Sequence, residues 1–152
     1  MPTSSTSTPP DGPLEPIRAR KDALQEAAIA LESSLAEPST TVQWRDGVRA
    51  ALRRAQHVLG EHIAETDGPA GLPASVVDSS PRLAGPARRL ASEHDDLLER
   101  QQALASYVAD DDVPPELIRD AAAEMAAMML QHVRHAQDLI VDAVEEELGA
   151  GD

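Results

Sequence analysis

The chain has 152 residues, with 27 acidic side chains against 13 basic ones and a formal net charge of −14. That excess argues against nucleic acid or an anionic membrane as a partner, since both need clustered Lys and Arg. There is no cysteine, which removes disulfides, thiolate metal sites and thiol catalysis and makes a cytoplasmic location the expectation.

Residues 1–13, MPTSSTSTPPDGP, are Ser, Thr and Pro in low-complexity array. They have no apolar stretch of the kind a secretory signal needs, and a disordered tail is expected. From Leu14 onward the apolar residues Ile17, Leu24, Ala27, Leu31 and Leu35 recur at helical spacing. Pro38 should end that helix, and Thr40 with Gln43 has the spacing of a capping box for the next. The second helix carries Val42, Val48, Leu52, Ala55, Leu59 and His62 on one stripe and should end near Asp67-Gly68.

Residues 68–80, GPAGLPASVVDSS, read as the longest loop. Ser80-Pro81 resembles an N-cap followed by an N1 proline, and Gly85-Pro86 implies a kink or a delayed start to the third helix. The stripe there is Leu83, Ala87, Leu90, His94, Leu97, Gln101, Leu104 and Val108. Asp112 is the expected cap of a fourth helix, whose stripe reads Leu117, Ala121, Met125, Met128, His132, His135, Leu139 and Asp142. Gly149 should close it as a C′ residue. Four long amphipathic helices on short connections predict an all-α, antiparallel up-down-up-down four-helix bundle over residues 14–149. One Trp, one Tyr and no Phe, set against abundant Ala and Leu, suit close helix packing. No 18-residue apolar run occurs, so no segment is expected to span a bilayer.

Counting about 100° per residue places His62, His94, His132 and His135 toward the core, on three different helices, and His57 toward solvent. Four inward imidazoles in an aliphatic core need polar partners, because a buried ring nitrogen without one is costly. A shared cation would satisfy them together, and imidazole with carboxylate suits iron, zinc or manganese. Matching levels along the helices gives a spread on the order of 10 Å at 1.5 Å per residue, which favours a dinuclear arrangement. Glu65, three residues after His62, and Asp142, beyond His135, are the candidate carboxylate ligands. Glu93 and Asp138 lie nearer the flanks, where they could accept from imidazole N–H groups. All four are also readable as solvated acids on an acidic protein. Met125, Met128 and Met129 read as adaptable core packing. Glu145, Glu146 and Glu147 crowd a helix C-terminus that disfavours negative charge, marking either a functional end or a frayed one.

With Glu-His at 61–62 and at 93–94 and His-x-x-His at 132–135, the chain resembles the hemerythrin-like (HHE cation-binding) proteins, and more narrowly small actinobacterial proteins of that kind. The segments HIAETDGPAGL (62–72), SPRLAGPARRLASEHDDLL (80–98) and HVRHAQDLIVDAVEEELGAG (132–151) carry the resemblance, over roughly residues 42 to 151. It implies a non-haem di-iron centre in the bundle core, with terminal histidines and bridging carboxylates. Such a centre binds dioxygen or senses oxygen, nitric oxide or iron, and its ligands here would be His62, Glu65, His94, His132 and His135, with Asp142. The competing expectation is a metal-free acidic adaptor, its histidines hydrogen-bonded to buried Glu, Asp and Gln. No Gly-rich phosphate loop follows a strand and no Ser-His-Asp arrangement is legible, so hydrolysis or group transfer ranks behind both. The Ala-rich helices would also allow a homodimer.

Overall fold

The computed structural model describes residues 15–67 and 71–150. The tail expected at residues 1–13 and the first apolar residue, Leu14, lie outside them. Among the described residues all regular structure is helical: α1 (Glu15–Ser34), α2 (Val42–Thr66), α3 (Leu72–Ser79), a 3₁₀ turn (Pro81–Leu83), α4 (Ala84–Ala109) and α5 (Pro115–Ala150). Helix α1 packs against α2 and α5, and α4 packs against α5 and more sparingly against α2. None of these helices is long and apolar enough to cross a membrane.

Several boundaries differ from the sequence expectation, each for a local reason. Thr41, not Thr40, caps α2, its Oγ1 accepting from the Trp44 N–H at 3.2 Å. The stretch read as loop contains α3, a helix of two turns with proline in its first turn, held because Val76 is buried against Leu83, Leu90 and Leu139. Ser80 makes no side-chain cap. A 3₁₀ turn fills the gap and puts Gly85-Pro86 in the first turn of α4, where a proline N–H is not needed, so the delayed start is what occurs. Asp112 does not cap α5, which begins at Pro115, and its own N–H is taken by the Asp110 carboxylate at 2.9 Å. Gly149 lies within α5 and does not adopt a left-handed terminating conformation.

The stripe on α5 is one residue out of phase with the expectation over its first half. Ile118, Ala122, Met125 and Met129 are buried, while Leu117 is half exposed and Met128 only partly buried. On α2 the same correction applies at the start, where Trp44 is buried and Val42 is 76% exposed.

Two apolar clusters result. The larger joins Leu24, Leu31, Leu59, Leu97, Leu104, Ile118 and Met125 with small residues such as Ala27, Ala55 and Ala122. The smaller gathers Val76, Leu83, Ala87, Leu90 and Leu139 under α3. Arginines secure the end of the bundle away from α3. Arg45 donates to the carbonyls of Asp110 and Val113, both at 2.9 Å, and Arg49 to that of Val108 at 3.2 Å, occupying acceptors that the end of α4 leaves without helical partners. Arg119 does the same for Leu35 and Glu37 after α1, and its guanidinium lies 5.3 Å from the Trp44 ring centre.

Leu104 is fully buried and Leu98 is 36% exposed. Leu104→Ala is therefore expected to lower unfolding free energy by about 2–5 kcal/mol in urea titration, and Leu98→Ala by less than about 1 kcal/mol.

Candidate metal centre

The histidine layer follows from where the stripes are interrupted. On α2, His62 comes one turn after Leu59 of the larger cluster. On α4, His94 separates Leu90 of the smaller cluster from Leu97 of the larger, and on α5 His132 adjoins Val133, with Leu139 two turns on. Three imidazoles thus form a polar layer between the two apolar regions. All three are buried, His94 and His132 to 1% exposure.

Their Nε2 atoms converge. His132 Nε2 lies 2.9 Å from His62 Nε2 and 3.1 Å from His94 Nε2, and one nitrogen of each ring falls within 4.8 Å of the others. The outer nitrogens of two rings are held by carboxylates. His94 Nδ1 donates to Asp67 Oδ1 at 2.7 Å, and His132 Nδ1 donates to Glu93 Oε2 at 3.0 Å. Glu93 spans further, its Oε1 accepting from His135 Nδ1 at 2.5 Å.

These bonds set the tautomers. An Nδ1 that donates to a carboxylate leaves the neutral ring with a bare Nε2 lone pair. In their neutral forms His94 and His132 present lone pairs to each other at 3.1 Å. A proton on His62 Nε2 can serve one of them only. A cation at the convergence point serves all three, and Nε2 ligation with Nδ1 tied to a carboxylate is the usual outer support of a metal-binding histidine. With metal–nitrogen bonds of 2.0–2.1 Å, ligand nitrogens lie roughly 2.9 Å apart at right angles and about 3.3 Å apart in a tetrahedron. The two edges at His132, 2.9 and 3.1 Å, fall in that interval, and the third nitrogen pair lies within 4.8 Å. His62 is the least oriented ring, its buried Nδ1 having no hydrogen-bond partner among the described residues.

The other candidates are placed elsewhere. His135 is 46% exposed at the flank of α5, because the buried stripe runs through His132, Val133 and Leu139. It joins the layer only through Glu93. Glu65 is exposed and paired with Arg20, and Asp142 is exposed on α5. His57 is a surface residue paired with Glu61 at 3.2 Å, as the helical count implied. Asp67 was not anticipated. A carboxylate at the C-cap of α2 opposes the helix dipole, and that local conflict was the one available signal. Glu93 has the imidazole-supporting role that its flank position allowed.

No family model, curated protein or solved structure matches the chain.

Burial lowers His62 from 6.5 to about 3, with the neighbouring His132 and His94 adding to the shift. His132 is also lowered by burial, against the opposing effect of the hydrogen bond it donates to Glu93. Both rings are thus held neutral in the folded protein. The unfolded chain takes up protons below about pH 6.5 that the fold excludes, so stability falls with pH from there, for His62 down to about 3. The urea midpoint of metal-free protein should decline between pH 7 and pH 4.5, and His62→Gln should flatten part of that decline. A midpoint that stays level in the parent protein would contradict neutral burial.

Proposed function

We propose that the chain is a metal-binding helical bundle in which His62, His94 and His132 hold one divalent transition-metal ion. The observation that carries this reading is the convergence of three buried imidazoles, His132 Nε2 lying 2.9 Å from His62 Nε2 and 3.1 Å from His94 Nε2. Three imidazoles suit zinc, iron, copper or nickel. Asp67 and Glu93 orient two of the rings, and their two negative charges balance a dication in the bundle interior.

The arrangement supports a mononuclear site better than the di-iron centre of the hemerythrin-like resemblance. Bridging carboxylates would have to reach the Nε2 side, whereas the carboxylates that touch the histidines do so at Nδ1. Iron sensing or storage, and recognition of dioxygen or nitric oxide, remain within this proposal because three protein ligands leave coordination positions for an outside ligand. An up-down-up-down order of the four long helices is part of the same reading. It is supported by Arg20 meeting Glu61 near one end of α1 and by Arg119 meeting the Leu35 carbonyl at the other.

The experiment is elemental mass spectrometry on untagged protein, followed by anaerobic loading with iron(II) and, separately, zinc. One equivalent is expected, with thermal stability rising on loading; about 2.7 kcal/mol corresponds to free metal at a hundredfold over the dissociation constant. His132→Ala should abolish binding, and Glu93→Gln should weaken it by about 10–100-fold. His135→Gln should retain one equivalent. Two equivalents would restore the dinuclear reading. No binding of any metal would overturn the proposal in favour of an acidic adaptor, whose contact surface would include the exposed Val141, Val144 and Leu148 of α5.

A further inference from the structure

Resting on the metal-binding reading, we propose that the cleft between α4 and α5 is the route by which the cation reaches the buried imidazoles. In this reading Asp138 and Asp142 draw the ion in, and Glu93 stands at the inner end. The donor nitrogens lie in a layer where His94 and His132 are 1% and His62 8% exposed, so an ion must pass other side chains first. A cleft of about 320 Å³ opens beside that layer, and Glu93, His135, Asp138, Asp142 and Arg89 are among its lining residues.

Glu93 belongs to both places. One of its oxygens accepts from His132 Nδ1 inside the layer, and the other from His135 Nδ1 in the cleft. His135, 46% exposed and held to Glu93 through Nδ1, leaves its Nε2 as a nitrogen that a partly hydrated ion meets before the layer. Three carboxylates and one guanidinium line the cleft. That local sign matches a cation, and a cleft of one sign beside a low-dielectric wall raises the association rate of an oppositely charged ion by a factor that salt suppresses. Neither Asp138 nor Asp142 touches the three converging rings, so their contribution is to passage and not to holding.

The test is stopped-flow association of cobalt(II), whose visible absorption reports coordination, with metal-free full-length protein at low and high salt. Asp138→Asn/Asp142→Asn should slow association by roughly five- to tenfold at low salt and flatten the salt dependence. Arg89→Gln should speed it. The control Asp112→Asn/Asp120→Asn makes the same charge change on exposed residues remote from the cleft, and should leave the rate within about twofold. Because a passage is crossed in both directions, equilibrium affinity for cobalt(II) should change less than the association rate. Equal slowing by both double variants, or by neither, would overturn the route while leaving the metal centre standing. So would a loss of affinity carried by faster dissociation, since the two aspartates would then hold the ion. If cobalt(II) does not bind the parent protein at equilibrium, the metal reading itself falls.

Discussion

Two imidazole lone pairs facing each other inside an aliphatic bundle form the constraint around which the rest of this structure is arranged. Asp67 and Glu93 create it by fixing the protons of His94 and His132 on their outer nitrogens. A lone His in a core can turn its ring until each nitrogen finds a partner. Here the rings cannot turn without breaking a carboxylate bond, and in their neutral forms the two Nε2 lone pairs stay facing each other.

The layered packing keeps that point buried. Below the histidines lies the larger apolar cluster, in which Ala27, Ala55 and Ala122 let the long helices approach closely. Above them α3 lays Val76 over Leu90 and Leu139, so the layer does not sit at an open end of the bundle. At the opposite end, guanidinium groups bind the carbonyls left over where α1 and α4 stop. Arginine there completes the backbone hydrogen bonding of helix termini, which accounts for part of the basic content without any ligand for it.

Much of this was readable from residue spacing. Apolar residues three and four apart located the four long helices, and the same count turned His62, His94 and His132 inward and His57 outward. What spacing did not reveal has identifiable causes. The α3 helix has only two turns between glycine and proline signals, and its existence depends on a tertiary contact through Val76. On α5 both Leu117-Ile118 and Met128-Met129 offer adjacent apolar residues, so the stripe has two admissible phases, and packing selects the second. That choice moves His135 to the flank. Asp67 was invisible to periodicity because it lies at the helix terminus, outside the repeating pattern.

The position of the carboxylates bears on chemistry more than their number does. A carboxylate on the metal side of an imidazole competes to be a ligand and can bridge two ions. One on the far side makes the ring a better donor and lends its charge through a hydrogen bond. Glu93 and Asp67 are of the second kind. Glu65 is engaged with Arg20, which leaves it oriented away from either role, and Asp142 borders the cleft. Two outer carboxylates compensate two positive charges, and a trivalent ion would leave one charge uncompensated in a medium that penalises it. Under the proposed metal-binding reading, the balance of charge around the rings favours a divalent ion, with the acids that support the rings on the side away from it.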